Sequence, residues 1–197
     1  MIVTLQVAPG ASVSEQELAG RLGMGRTPIR EALQRLAREG LVSVLPRRGI
    51  LVTGIDVGRQ LRLLEVRREL ERLIARSAAR RATDAEREAF RAVADAFERA
   101  AKVNDDKAFM RIDREFNSLC SAASHNEFAA GAMQLMHSLS RRFWYIHYKQ
   151  AADMPLTATL HADIARAVAA GDAQGAAQAS DKLLDGIEKF TRDTTNM

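Results

Sequence analysis

The spacing of apolar positions changes twice along the chain and divides it into a short mixed part and a long helical part. Between residues 14 and 40, apolar side chains recur at every third or fourth position, which is typical of amphipathic helices. Two short apolar runs follow, "LVSVL" and "ILVT", and these are typical of strands. Beyond residue 57 the helical spacing returns and continues towards the C-terminus. The pattern predicts two helices, a two-stranded hairpin and then an all-helical part.

Local signals place the ends of the first two helices. In "SEQELAGRLG", Ser14 and Glu17 have the spacing of a capping box. The second helix is predicted to start with Thr27 as the N-cap and Pro28 in the first turn, and to stop before Gly40. The apolar face of this helix consists of Ile29, Ala32, Leu33, Leu36 and Ala37. Two helices followed by a hairpin around "PRRG" predict a winged helix-turn-helix.

The later part predicts about six helices with short connections. Their expected ranges are 57–81, 84–102, 105–122, 126–150, 156–170 and 173–192. Short connections favour antiparallel neighbours. The predicted fold is therefore mostly α, with a winged helix-turn-helix over residues 1–54 and an all-α antiparallel bundle over residues 55–197.

Composition narrows the class of protein. The 197 residues include one cysteine, Cys120, which excludes an internal disulfide framework and a cysteine-based zinc cluster. No apolar run reaches the roughly 18–20 residues that span a membrane, so we expect a cytoplasmic protein without a membrane partner. The chain carries a net charge of +4, and residues 1–54 hold seven arginines against four glutamates, a net +3. Charge concentrated in this way favours a polyanionic partner.

A row of polar residues on the second helix indicates what that partner is. Arg26, Arg30, Gln34 and Arg38 are spaced by four and therefore share one helix face, away from the apolar stripe. An α-helix fits the major groove of DNA, where arginine can bind guanine through two hydrogen bonds. A row of this kind alone is more often a solvated surface, but the capped first helix and the basic hairpin favour DNA. The predicted contacts to double-stranded DNA are Arg26, Thr27, Arg30, Gln34, Arg47, Arg48 and Gly49.

The stretch "ELAGRLGMGRTPIREALQRLAREGLVSVLPRRGILV" resembles the DNA-binding domain of GntR-type bacterial transcription regulators. The resemblance implies DNA contacts from the two helices and the wing, and adds Gln16 as a residue that touches the phosphate backbone. The chain departs from the family pattern at Gly25, where Ser or Thr is usual. In addition, "MIVTLQVAPG" is shorter than the family's first helix, so we expect that helix to be shortened.

Three later stretches, "LLEVRRELERLIARSAARRAT", "DREFN" and "LHADIARAVAAGDAQGAAQA", resemble the helical effector domain called FCD. Relatives often bind a divalent metal there through one Asp and three His. This chain keeps Asp113 and His161 but has Asn117 and Leu183 at the other two positions, so no cofactor is predicted with certainty and a weakly bound divalent metal is left open. Without a metal, Arg67 is the expected partner of Asp113.

The resemblance also implies a small organic acid as the effector. The residues assigned to it are Arg67, Asp113, Asn117, His161, Arg141 and Tyr148. The sequence contains no catalytic motif, so we predict no enzyme activity. The predicted function is a homodimeric, ligand-responsive regulator, expected to be a repressor, that binds an inverted-repeat operator. Two alternatives stay open, namely a helical metabolite- or metal-binding enzyme with a vestigial DNA head, and a sensor of acyl chains.

Overall fold

The computed structural model describes residues 1–45 and 49–194, which form two compact units. The first unit combines Met1–Gln60 with Gln134–Lys149, and the second combines Leu61–Met133 with Gln150–Met197. The unit boundaries at residues 60 and 133 each lie inside a helix, so two helices contribute residues to both units.

The N-terminal part of the first unit is a winged helix-turn-helix. Its elements are β1 Ser12–Val13, α1 Glu15–Leu22, α2 Arg26–Arg38, β2 Val42–Leu45 and β3 Gly49–Val52. The sheet is antiparallel with β3 in the middle, where Leu51 pairs with Ser12 on one side and with Ser43 on the other. The predicted two-stranded wing therefore has a third strand, β1. Two residues are too few to produce a recognisable alternation in the sequence.

The start of α2 differs from the prediction. Thr27 is not the N-cap, because the helix already begins at Arg26 and Gly25 occupies the N-cap position in an extended conformation, with no side-chain hydrogen bond. Pro28 still fits, since the N–H groups of the first helical turn have no intrahelical acceptor. The cap of α1 is confirmed: the Ser14 hydroxyl accepts a hydrogen bond from the Glu17 amide at 3.0 Å.

We expect Gly25→Ser to stabilise the protein. Gly25 has φ −68° and ψ 160°, which any residue adopts, and an added Cβ would only touch a Pro28 ring carbon at 3.8 Å. A capping hydroxyl and a less flexible unfolded chain should together add roughly 0.5–1 kcal/mol to the free energy of unfolding. Urea denaturation followed by circular dichroism measures the change. Gly23→Ser is the control and should lower the free energy of unfolding, since Gly23 has φ +62°. A lower free energy of unfolding for Gly25→Ser would contradict the capping argument.

The hydrophobic core of the winged helix-turn-helix includes residues from outside the predicted helices. Its buried members are Ile2, Val7, Val13, Leu18, Ile29, Leu33, Leu41, Val42, Ile50 and Val52. Residues 1–11 form turns and bends without a helix, so the expected shortened helix is absent from this segment, which instead contributes Ile2 and Val7 to the core. Leu139, from the distant part of the chain that belongs to this unit, also packs against it. Ala32, which was predicted to belong to the apolar face of α2, is exposed instead.

Six helices follow the wing, as predicted. Each predicted helix end lies within two residues of the observed one. Their bounds are α3 Val57–Arg81, α4 Asp84–Val103, α5 Asp106–Ala123, α6 Glu127–Ala151, α7 Met154–Ala170 and α8 Ala173–Asp193. In the second unit, α4 packs against α5 and α7, and α7 packs against α8. Fully buried phenylalanines, Phe90 and Phe97, fill the space between these helices. No helix in the described ranges is long and apolar enough to cross a membrane.

Arginines hold helix ends together in the second unit. The Arg87 guanidinium donates to the carbonyl oxygens of Val168 at 3.0 Å and Ala79 at 2.9 Å, near the ends of two different helices. Gly171, in the left-handed conformation, leaves room for this side chain, because an added Cβ would lie 2.8 Å from Arg87 Nη1. Arg87 therefore satisfies carbonyl groups that a helix end leaves without an intrahelical donor.

Candidate functional site

The face of α2 that was predicted to meet DNA is open to solvent. Arg26, Arg30, Gln34 and Arg38 are all exposed, whereas Ile29 and Leu33 on the opposite face are each 4% exposed. Thr27 on α2 and Gln16 on α1 are exposed as well. The buried stripe fixes the helix to the core of the first unit and leaves its polar row on the solvent side.

One arginine of the row has a partner within the protein. Arg30 Nε and Nη2 donate to the two carboxylate oxygens of Glu15 on α1, at 3.0 Å and 2.9 Å. The hydrogen bonds from Arg30 lower the pKa of Glu15, and the pKa of Arg30 is raised by the same contact. The Arg30 side chain nevertheless remains 60% exposed. A base or phosphate that took these two N–H groups would have to displace Glu15.

Of the three predicted wing contacts, only Gly49 lies within the described residues. Arg47 and Arg48 lie outside the described residues. Gly49 begins β3 with φ +86°, and a Cβ at this position would lie 3.2 Å from the Val13 carbonyl oxygen of β1. The strand packing and the backbone conformation thus account for this glycine independently of DNA.

The second unit brings three of the predicted effector residues into contact. Asn117 Nδ2 donates to Asp113 Oδ1 at 2.9 Å and to the Asp113 carbonyl oxygen at 2.7 Å. Asp113 Oδ1 also lies 3.4 Å from His161 Nε2. The other ring nitrogen of His161, Nδ1, lies 2.8 Å from the Thr157 carbonyl oxygen. A carbonyl oxygen can only accept, so Nδ1 carries a proton, and Nε2 can donate to the Asp113 carboxylate only when it carries a proton as well.

Aromatic rings surround this polar group. The His161 ring centroid lies 5.0 Å from that of Phe97 and 5.5 Å from those of Phe109 and Phe116. The histidine is 6% exposed, and Asp113 and Asn117 are half-buried. A ligand that reached Nε2 would therefore leave water for a largely apolar environment in which each hydrogen bond has a larger effect.

Arg67 contacts a residue that the sequence analysis did not single out. Its Nε donates to Glu71 Oε1 at 2.6 Å, and both side chains are largely buried. Burial raises the pKa of the Cys120 thiol, and the carboxylates of Glu71 and Asp113 raise it further. Glu71 follows Arg67 by four residues on one helix, a spacing that could have revealed the pair.

Arg141 and Tyr148 do not belong to the same compact unit as the other effector residues. Both lie on the part of α6 that falls in the first unit, whereas Arg67, Asp113 and His161 fall in the second. The Tyr148 ring stacks on Trp144, with 6.4 Å between the centroids. In the second unit, Asp113, Asn117 and His161 form one polar cluster. Arg141 and Tyr148 of the predicted site belong to the first unit.

The cluster does not match a divalent transition-metal site. Zinc sites use at least three protein ligands, and the part of the chain that the structure describes contains no group of three His, Cys, Asp or Glu side chains placed to hold a metal. Asn117 directs its amide nitrogen, which is a donor, towards Asp113. Leu183, at the fourth family position, is apolar and 2% exposed. Only Asp113 and His161 remain from the implied ligand set.

Family models match nearly the whole chain. Residues 1–52 match the model described as bacterial regulatory proteins of the gntR family, and residues 62–186 match the FCD domain. The chain belongs to the GntR family and carries an FCD domain. This GntR-family chain is therefore a transcription regulator with a DNA-binding head.

Known proteins similar to this GntR-family chain are regulators too. The HTH-type transcriptional repressor RspR of Escherichia coli K12 is 27% identical over 97% of the chain and 84% of its own length. An uncharacterised HTH-type transcriptional regulator of Streptomyces ambofaciens is 52% identical over 59 residues, 30% of this chain and 25% of that relative. The solved structure of E. coli McbR/YncC aligns over 99% of this chain and 93% of its own, with a TM-score of 0.85 and 19% identity. That structure supports the fold.

Proposed function

We propose that this GntR-family chain acts as a homodimer in the cytoplasm, represses transcription from an inverted-repeat operator, and responds to a small organic acid bound by its helical domain. The observation that carries the proposal is the open polar row of α2, held in place by the buried Ile29 and Leu33. The names of similar proteins, among them the E. coli repressor RspR, support transcriptional regulation and offer no support for an enzyme.

On the DNA side, the proposal assigns base contacts to the N-terminal half of α2. Arg26 and Thr27 stand in the first turn, the part of a recognition helix that usually meets base edges. Gln34 and the wing residues Arg47 and Arg48 are proposed to extend the contact, with Gln16 on a phosphate. A two-fold symmetric dimer places two such heads on two half-sites, so the operator should be an inverted repeat.

On the effector side, the proposal rests on the polar groups of the second unit. Arg67 supplies a guanidinium, and His161 can donate from Nε2 when this nitrogen carries a proton, so the proposed carboxylate would form charge-assisted hydrogen bonds with these two groups. Arg67 and Asp113 already have carboxylate and amide neighbours, which an incoming acid would rearrange. Such a ligand shifts DNA affinity only by its different affinity for the free and the DNA-competent states. Arg141 and Tyr148 remain proposed contributors.

Selection of random DNA duplexes on the purified protein tests the DNA-binding part. We expect enrichment of an inverted repeat whose half-sites are separated by about one helical turn, about 10 base pairs. Binding should weaken steeply with salt, because arginines displace cations from the phosphates. Enrichment of no sequence over a scrambled duplex at matched salt would refute the assignment of α2.

A thermal-shift experiment tests the effector part. Citrate, succinate, lactate and benzoate are added to wild type, Arg67→Gln and Arg166→Gln, each before and after EDTA treatment with metal analysis. At 100 times its Kd a binding acid adds about 2.7 kcal/mol, which should raise the Tm by roughly 5–10 °C. We expect the shift to survive EDTA and to disappear in Arg67→Gln. Arg166 is the control because its exposed ion pairs with Asp95 and Glu98 lie outside the polar cluster; equal shifts in all three proteins would exclude Arg67 from the site.

A further inference from the structure

Arg142 is a buried arginine whose recorded hydrogen-bond partners are all neutral. It lies on the part of α6 that belongs to the first unit, and it is 2% exposed. Its guanidinium donates to the Leu41 carbonyl oxygen at 3.4 Å, the Thr53 hydroxyl at 3.0 Å and the Gly54 carbonyl oxygen at 3.0 Å. Burial lowers the pKa of Arg142, and the positive charge of Arg59 lowers it further. An apolar side chain could fill the same space without the cost of desolvating a charge.

The three acceptors of Arg142 lie at one structural junction. Leu41 is the residue before β2, and Thr53 and Gly54 are the residues after β3, so the guanidinium joins the two ends of the wing hairpin. The Thr53 amide also donates to the Leu41 carbonyl oxygen, at 3.0 Å. Because a guanidinium is planar and has five donors in a fixed geometry, it sets the distance and angle between the groups it binds.

The same junction fixes the C-terminal end of the recognition helix. The Thr53 hydroxyl accepts from Arg142 and lies 2.9 Å from the Gly40 carbonyl oxygen, to which it can donate. Gly40 follows the C-cap residue of α2 and has φ +71°. The α2 end, the wing and Arg142 therefore share a continuous hydrogen-bond network. Within this unit Leu139, three residues before Arg142, packs against the head core and anchors the α6 segment.

We propose that Arg142 is a positioning residue for DNA recognition, which holds the wing and the recognition helix in the relative orientation that fits one operator. The inference rests on the proposed DNA-binding function and adds a residue that does not itself meet DNA. Both the wing and α2 carry proposed DNA contacts. A change of the angle between them at their junction would therefore move the wing contacts away from DNA when the α2 contacts are in place.

The test compares Arg142→Met with wild type and Lys149→Met in the full-length protein. Lys149 is exposed on the same helix, so its replacement removes the same charge without disturbing the junction. Affinities for the selected operator and for a scrambled duplex are measured by fluorescence anisotropy at matched salt, at a temperature where circular dichroism shows each protein to be folded. We expect Arg142→Met to lose at least five-fold in operator affinity, with scrambled DNA bound as by Lys149→Met. A smaller loss, or an equal loss on both duplexes, overturns the proposal.

A second variant covers the case in which Arg142→Met does not fold. Thr53→Val keeps the side-chain shape and removes the hydroxyl that links Arg142 to the α2 end. We expect at least a three-fold loss on the operator alone and faster hydrogen exchange of the residue-53 amide; a smaller loss overturns the proposal. A failure of wild type to select any operator refutes the proposed function, whereas an operator bound equally well by wild type and both variants refutes only the role of Arg142.

Discussion

Replacing Arg26 with alanine should weaken binding to the selected operator by roughly 5- to 150-fold, the equivalent of about 1–3 kcal/mol for a guanine contact through two hydrogen bonds. Arg26 is exposed in the first turn of α2, and the fold places no part of its side chain in the core. The variant should therefore have the same Tm as wild type. Fluorescence anisotropy on the operator and on the same duplex with single base changes measures the loss and shows which base is affected.

Arg35→Gln is the matched control for Arg26→Ala. Arg35 lies on the same helix but outside the polar row, and its Nε donates to Glu39 at 3.2 Å. Its replacement removes one positive charge, so it reports the sequence-independent part of the loss. If Arg26→Ala and Arg35→Gln weaken the operator equally, α2 does not read bases through its polar row.

Phe97→Ala should produce the largest loss of stability, about 3–5 kcal/mol in the free energy of unfolding. The Phe97 side chain is 0% exposed, and its ring centroid lies 5.8 Å from that of Phe109 and 5.7 Å from that of Phe116. Alanine would leave a cavity at the point where these rings meet His161. Urea denaturation followed by circular dichroism gives the change directly, and any acid-induced thermal shift should decrease with it because the histidine loses its support.

The control for Phe97→Ala is Phe128→Ala in the same unit. Phe128 is 81% exposed, so its truncation should change the stability by no more than about 0.5 kcal/mol. Similar losses in the two variants would mean that Phe97 does not belong to a tightly packed core.

Local signals were sufficient to predict the order of the eight helices and of the two wing strands β2 and β3, but they predicted neither β1 nor the absence of a helix before it. The spacing of apolar residues and the caps, such as Ser14 with Glu17, depend on neighbours within four residues, and these are visible in the sequence. The N-cap of α2 was misplaced because Thr27 has the stronger intrinsic preference, whereas the chain path into the helix puts Gly25 there. Tertiary constraints of this kind do not appear in a local pattern.

Contacts between distant parts of the chain could not be predicted in this way. Arg142 and Leu41 are 101 residues apart, and nothing in the pattern around Arg142 distinguishes it from Arg141 beside it. In the helical domain, the family resemblance drew attention to Asp113 and His161, which do lie in contact. The same resemblance favoured Asp113 as the partner of Arg67, although the short i,i+4 contact of Arg67 is with Glu71. The sequence thus indicated which polar residues belong to the helical domain's candidate site, whereas which of them contact each other depends on tertiary packing.

The ion pair between Arg30 and Glu15 would make the proposed base contact of Arg30 an exchange of partners. In the free protein, two N–H groups of this guanidinium donate to the Glu15 carboxylate on the neighbouring helix, so a base that takes these donors would have to compete with Glu15. The net gain from a matching base would then be the difference between two pairings. Glu15 would thereby act as an internal competitor and reduce the contribution of Arg30 on duplexes that lack the matching base.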